Sequence, residues 1–303
     1  MVWRRLRVNE VEQRKGNIIG YITHDVSDKF GRLLLAEGTP ITDSVSRKLE
    51  ERGLVYRLSS TPLGNRRSKT IGLKRLNAKP FKVPVKLDKK FDRVDGEALG
   101  HASKYLNILL RQIQEDKFFS NNIKVLSQGH KATYSHSINV SLITVAMAQK
   151  LNFTLPALQK IALGSLFHDI GKILLPKSIL NELGSVCDEQ SLIYQQHTEL
   201  GADLLAAEYL PAEIYLIALH HHEKLSGNGY PNQLKESDIH LNAAIVSVAD
   251  TFDRLTSSIF HKNVCSPDEA IHEILSAKGI DFHPQAVDAF MELFQGNDLR
   301  ETL

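Results

Sequence analysis

Two cysteines in 303 residues cannot staple a fold. Cys187 and Cys265 form no CxxC and no pair at metal-ligand spacing. That excludes a disulfide scaffold and a structural zinc knot, and leaves both as reduced bystanders in a cytosolic protein. An excess of one charge is lacking too: 37 basic residues stand against 35 acidic ones, for a net charge of +2. Duplex nucleic acid demands a concentrated basic face, so it is not an expected partner. Long apolar runs are missing; the longest, residues 142–148, is far short of the ~20 needed to cross a bilayer. The basic start, residues 1–15, has no apolar stretch behind it, so no signal peptide is expected and the cytoplasm is the expected location. There is no internal repeat. One residue type is in surplus: of thirteen histidines, six fall between Lys131 and His222.

The chain divides by pattern. Up to about residue 60, short β-like runs (17–22, 31–36 and 54–58) alternate with a turn at 37–40 and a helix from Thr42 or Asp43 to Arg52, stopped by Gly53. This reads as a small α/β module, residues 1–60. Residues 61–95 are rich in Ser, Pro, Gly, Lys and Arg and read as a linker, its basic run (Arg66, Arg67, Lys69, Lys74, Arg75) a solvated stretch. Residues 96–303 carry helical spacing almost throughout, as in 134–151, in 155–167 behind an N-cap at Thr154, and in 243–257. Pro211 opens a helix that runs into His220, His221 and His222. The expected fold is mainly α: a small N-terminal α/β module followed by an all-α helical domain.

Five groups of potential ligands sit on or at the ends of these helices: His136; His168 with Asp169; His197; His221 with His222; and Asp250. Taken singly each is an ordinary helix residue. Neighbours on a helix diverge by about a third of a turn, so His168 and Asp169 converge only if a helix ends there, and Gly171 is placed to end it. Together they are a set of seven that a helical bundle can turn inward. Imidazole with carboxylate suits iron, manganese, zinc or nickel, and the lack of cysteine ligands argues against a structural zinc. Seven exceed the needs of one ion, and an aspartate can bridge two, so a dinuclear centre is the economical reading.

"FHDIGKILLPKSILN" (167–181), "QHTELGADLL" (196–205), "HHEKLSGNGYP" (221–231) and "AAIVSVADTFDRLTS" (243–257), with His136-Ser137 upstream, resemble the successive signatures of the HD-GYP family. The resemblance covers about residues 125–295. It implies the all-α HD-superfamily fold and hydrolysis of cyclic di-GMP. By the same resemblance one divalent ion takes His136, His168, Asp169 and Asp250, and a second takes Asp169 as a bridge with His197, His221 and His222. Iron is the first expectation and manganese the next. Asp169 and Lys172 are the expected catalytic residues, Lys172 pointing its ammonium at a phosphate oxygen. Lys172, Lys262 and Tyr230 are the expected substrate contacts. Glu223, Gly227, Gly229, Pro231 and Asp253 are expected to support the site, Glu223 by holding a ligand histidine or the following loop. The first 60 residues resemble regulatory modules that precede such domains. They and the GYP loop are the expected places for protein partners.

Four positions depart from that pattern. Ala132 replaces a glutamate that holds a third metal in some relatives. Ser226 stands in place of Asp, and Ala244 and Ile259 in place of Arg. The expected metal shell is complete and the substrate shell thinned. Beside the phosphodiesterase, two other readings stay open: a degenerate domain that binds metals and cyclic di-GMP but signals with little turnover, and a hydrolase of another phosphoester.

Overall fold

The computed structural model describes residues 18–24, 26–27, 33–35, 37, 39–51, 53–60, 89–175, 180, 188–257 and 264–294. Cys187, Ile259 and Lys262 lie outside them. Strand β1 (Ile18–Ile22) is paired antiparallel on one side with β4 (Pro40–Thr42) and on the other with β5 (Leu58–Ser59), while β2 (Val26–Ser27) and β3 (Leu33–Leu35) form a separate pair. Helix α1 (Asp43–Glu51) follows β4. Two local expectations need correction. Pro40, expected in a turn, opens β4 and faces Tyr21; the first residue of an edge strand needs no donor, so proline is tolerated there. The strand expected over 54–58 is delayed to Leu58–Ser59. The intervening Tyr56 turns its hydroxyl to α1 instead, 2.5 Å from the Ser46 hydroxyl and 2.8 Å from Glu50.

From Gly96 onward the described residues are mostly helical, the longest fully described connection running over 221–240. The helices are α2 (Gly96–Ile113), α3 (Lys117–Gly129), α4 (Lys131–Lys150), α5 (Leu155–Leu166), α6 (Asp188–Gln195), α7 (His197–Ala207), α8 (Ala212–His220), α9 (Leu241–Leu255), α10 (Pro267–Ser276) and α11 (Pro284–Met291). Their starts follow from the sequence. Asp95 and Asp116 accept the first free amides of α2 and α3, and Ser266 with Glu269 closes a capping box on α10. Thr154 stands at the N-cap of α5 as expected, in extended conformation but without a side-chain bond to the helix amides.

Helix α4 is the axis of the bundle. Every side chain from 140 to 148 is buried, and the helix packs against α2, α3, α5, α9 and α11. A helix apolar all round belongs in a core, so the longest apolar run of the chain ends up inside protein. Among the described residues, no helix is long and apolar enough to cross a membrane.

The strands do not stand apart. Ile22, Ile41, Val45 and Leu49 join the same buried cluster as the helices, and β4 and α1 lie on α7. Lys48 Nζ donates to Gln196 Oε1 at 2.9 Å, immediately before the first residue of α7. Leu49 is fully buried. Leu49→Ala is therefore expected to lower the stability of the whole chain by about 2–4 kcal/mol in one cooperative transition. A separate early transition in calorimetry, leaving the main one in place, would show that the sheet melts alone.

Candidate metal centre

The ends of three helices and the faces of two others meet at one point. Helix α5 stops at Leu166, with Phe167 as its cap. His168 and Asp169 thus occupy the turn before the 3-10 helix Ile170–Leu174, which frees both from the divergence that a continuous helix would impose. His197 is the first residue of α7, His221 caps the end of α8, and His222 follows it. His136 looks inward from α4 and Asp250 from α9. All are buried except His222, whose side chain is 9% exposed.

Gly171 explains how the turn reaches α7. A Cβ there would lie 2.0 Å from the His197 carbonyl oxygen and 2.6 Å from the Gly201 amide nitrogen. Only a hydrogen fits, and the backbones close to a distance that puts His197 Nε2 3.3 Å from Asp169 Oδ1. Gly229 has the same task in the GYP loop, where a Cβ would come within 2.5 Å of the His222 carbonyl oxygen.

The carboxylate of Asp169 faces two ways. Its Oδ2 lies 3.4 Å from His168 Nε2 and 3.7 Å from His136 Nε2. Its Oδ1 lies 3.3 Å from His197 Nε2 and 3.7 Å from His221 Nε2. Asp250 completes the ring, with Oδ1 2.9 Å from His136 Nε2 and Oδ2 3.8 Å from His222 Nδ1.

The other ring nitrogens decide what the inward ones are. His168 Nδ1 is 2.7 Å from the Ser165 carbonyl, His197 Nδ1 2.6 Å from that of Tyr194, and His221 Nδ1 3.0 Å from that of Ala218. A carbonyl only accepts, so each Nδ1 carries the proton and donates it, and each Nε2 is left as a bare lone pair. These lone pairs face one another: His197 Nε2 is 3.4 Å from His221 Nε2. Asp169 Oδ1 and His222 Nε2 are buried with no hydrogen-bond partner. Converging lone pairs with no proton between them are satisfied by a cation. His197, His221 and His222 form one group able to hold an ion, His136, His168 and Asp250 a second, and His168, Asp169 and His221 a third that overlaps both. The donor set therefore fits divalent metal.

Protonation follows the same logic. Burial drives His197 down to about 4 against the pull of Asp169, and takes His221 and His222 well below the ordinary histidine value. At neutral pH they are unprotonated and ready to ligate. At His136, burial is outweighed by Asp250 and Asp253, which push it up to about 9. Without metal, the proton on His136 Nε2 does for Asp250 what a cation would do. Burial would likewise raise Asp169, but the Lys172 ammonium at 2.5 Å and the neighbouring histidines hold it well below the carboxylate range.

The supporting residues fall around this ring. Glu223 Oε1 and Oε2 accept the Asn232 and Leu234 amides at 2.6 and 2.9 Å, so it grips the loop containing Gly227, Gly229, Tyr230 and Pro231. The Tyr230 ring lies over His222, centroids 4.7 Å apart. Ser226 donates to Asp281 at 2.6 Å and ties that loop to the segment after α10. Asp253 Oδ2 accepts the His136 Nδ1 proton at 2.7 Å, while its Oδ1 takes Lys90 at 2.6 Å. His220 turns elsewhere, to Asn232 Oδ1. Lys172 is buried against Asp169, with its Nζ 5.0 Å from the centre of the Tyr194 ring.

Two of these residues escape a reading of the sequence. Lys90 belongs to a short 3-10 helix, Lys89–Phe91, inside a stretch whose composition says linker, and no local signal marks it. Tyr194 lies three residues before His197, within reach of a pattern search, but nothing in the sequence sets it apart from a core aromatic.

An HD-domain family model matches residues 120–285. The chain belongs to the HD-domain family. All seven ligand candidates fall inside the matched span, and the signatures and relatives make it HD-GYP in type. It is 34% identical over 168 residues to a cyclic di-GMP phosphodiesterase of Pseudomonas aeruginosa, covering 55% of this chain and 40% of the relative. A cyclic di-GMP phosphodiesterase of Thermotoga maritima is 36% identical over 166 residues, 53% of this chain and 44% of the relative. A 3'3'-cGAMP-specific phosphodiesterase of Vibrio cholerae is 28% identical over 210 residues, 68% of this chain and 40% of the relative. The chain thus spans less than half the length of each of these relatives.

Two outcomes test the geometry of this HD domain. Gly171→Ala should push α7 away from the turn, cost about 1–3 kcal/mol and lower metal content. Gly100→Ala, in α2 with nothing within 4 Å of the added carbon, should do neither; equal melting temperatures and metal contents would refute the close approach. The second outcome concerns pH. The His136 proton, held up to about 9, contributes to metal-free stability below about pH 6.5, and this is lost as pH rises through 9. Metal must displace it, so uptake at pH 7 should release about one proton and strengthen toward pH 9. Titration in buffers of different ionisation enthalpy measures this; proton-neutral uptake would remove His136 from the shell.

Proposed function

We propose that this HD domain hydrolyses a phosphodiester bond of a cyclic dinucleotide, cyclic di-GMP first among them. It does so at two divalent ions, iron by preference and manganese next. The observation that carries the reading is the set of histidines whose outer nitrogens are pinned as donors, leaving inner lone pairs around a carboxylate with one oxygen toward each group. His136, His168, Asp169 and Asp250 would hold one ion, and Asp169, His197, His221 and His222 the other. The chemistry supplied by such a pair when bound is Lewis-acid activation of water near neutral pH and neutralisation of charge on phosphoryl oxygens.

The side chains supply the rest. Lys172, buried and charged beside Asp169, places an ammonium where a phosphate oxygen gains charge in the transition state. The Tyr230 ring over His222 and the Tyr194 ring beside Lys172 offer flat surfaces to a base. In the reaction, the water oxygen bonds to phosphorus, one ester P–O bond breaks, and the departing alkoxide takes up a proton. The similarity to cyclic di-GMP and 3'3'-cGAMP phosphodiesterases supports this substrate class. The reading places the enzyme in the cytoplasm, with residues 1–60 as a regulatory module acting through the contact of Lys48 with Gln196, next to His197. A binding domain with little turnover is the second reading, favoured by Ile259 and Ala244 in place of arginines.

Anaerobically purified protein should contain two metals per chain and cleave cyclic di-GMP. Lys172→Ala should keep both metals and lose turnover by roughly 10²–10³-fold, the size of effect seen on removing one preorganised transition-state contact. Two metals without turnover of cyclic di-GMP or 3'3'-cGAMP would overturn the enzyme reading in favour of the binding domain.

A further inference from the structure

Helix α9 brings a cationic side chain to the site as well as its two aspartates. Arg254 lies one turn after Asp250, on the same helical face. Its Nη1 is 3.7 Å from Asp250 Oδ2, and the side chain is 37% exposed where that of Asp250 is 4%. Among the described residues the guanidinium makes no hydrogen bond, and 3.7 Å is too long for one to Asp250. Burial works against its charge, but the Asp250 carboxylate outweighs that and holds the guanidinium protonated. Arg254 is thus a partly exposed cation beside the buried carboxylate of Asp250.

Two explanations compete. In the first, Arg254 holds Asp250 in place. But Asp250 is already set by His136 at 2.9 Å, and a long, partly exposed ion pair contributes little. In the second, Arg254 awaits an anion. Once Asp250 gives its charge to a cation, the attraction that draws the guanidinium inward weakens, and its N–H fork can take another acceptor. A guanidinium matches two oxygens of a phosphate in one plane, which a lysine ammonium cannot do.

From this we infer that Arg254 anchors the phosphodiester of the incoming substrate by a charge-assisted, two-pronged contact. The inference rests on the hydrolase reading for its substrate, and on Arg254 alone for its chemistry: an anionic phosphate with two free oxygens.

The test uses the metal-loaded full chain, with metal content measured alongside binding. Three probes are titrated: a slowly hydrolysed phosphorothioate analogue of cyclic di-GMP, the same analogue of 3'3'-cGAMP, and inorganic phosphate. Arg254→Gln is expected to keep both metals and bind the cyclic dinucleotide analogues about tenfold more weakly, with a shallower salt dependence. Arg254→Lys should recover part of the loss. Wild-type affinity in Arg254→Gln would overturn the inference. So would loss of metal in Arg254→Gln with retention in Arg254→Lys, which would make the residue a support for Asp250. If the wild type binds neither dinucleotide, the proposed function fails, and the phosphate titration then decides Arg254 by itself. Weaker phosphate binding in Arg254→Gln upholds it, and equal or absent phosphate binding overturns it.

Discussion

The structure turns on where four histidine protons are. His168, His197 and His221 give their Nδ1 protons to the carbonyls of Ser165, Tyr194 and Ala218, and His136 gives its own to Asp253. Each carbonyl acceptor belongs to the residue three before its histidine, so the local backbone turn fixes the tautomer. No distant element has to be recruited for those three. The consequence is electrostatic. Nε2 lone pairs are forced together in a dry interior, and each unmet lone pair there is costly. A cation would relieve them, and that requirement fits the cluster to hold metal better than it fits a collection of core histidines.

Helix termini dominate the site for the same reason. A carbonyl in the last turn of a helix has no amide ahead of it, so it is available to a histidine at or just beyond the end. Ser165 near the end of α5 and Ala218 near the end of α8 serve in this way, and each frees its histidine to project beyond the helix. The price in backbone geometry falls on the connection. Gly171 must be bare because the turn carrying Asp169 packs on the first residue of α7. Burial of α4 on every side over 140–148, one turn past His136, fixes the direction from which His136 enters. The N-terminal strands and α1 then close over α7, sharing the core that holds that helix in position.

The sequence displays these features unevenly. The helices of the metal domain are readable because their apolar spacing is regular and their caps are local: Asp95, Asp116, and Ser266 with Glu269. The seven ligand candidates are readable as a group because their types and order are unusual, although any one alone would pass as ordinary. The strand at Pro40 is hidden, because a proline after Gly38 and Thr39 has turn chemistry, and only its place at the sheet edge lets it pair with Tyr21. Lys90 is hidden more deeply. Its partner Asp253 lies 163 positions away, and the meeting depends on tertiary packing that no local pattern encodes. Arg254 could have been found, since a cation four residues after a ligand aspartate falls on the ligand face of the helix.

Charge balance joins the buried lysines, the arginine and the ligands in one account. Asp169 and Asp253 are met by Lys172 and Lys90, and Asp250 by the protonated His136 at 2.9 Å with Arg254 farther off at 3.7 Å, so the three carboxylates are compensated before any metal arrives. The fold does not depend on metal to neutralise buried charge; what it leaves open is the coordination of lone pairs. In the proposed loaded state, two divalent ions enter a site whose carboxylates already have partners, and their positive charge is in excess. Neutral histidines cannot offset it. Lys90 and Lys172 are buried and held, while Arg254 is partly exposed, so the excess is accessible from solvent at Arg254. An anion is the species that such a field draws in, and a phosphodiester brings the negative charge that the protein's own residues do not supply.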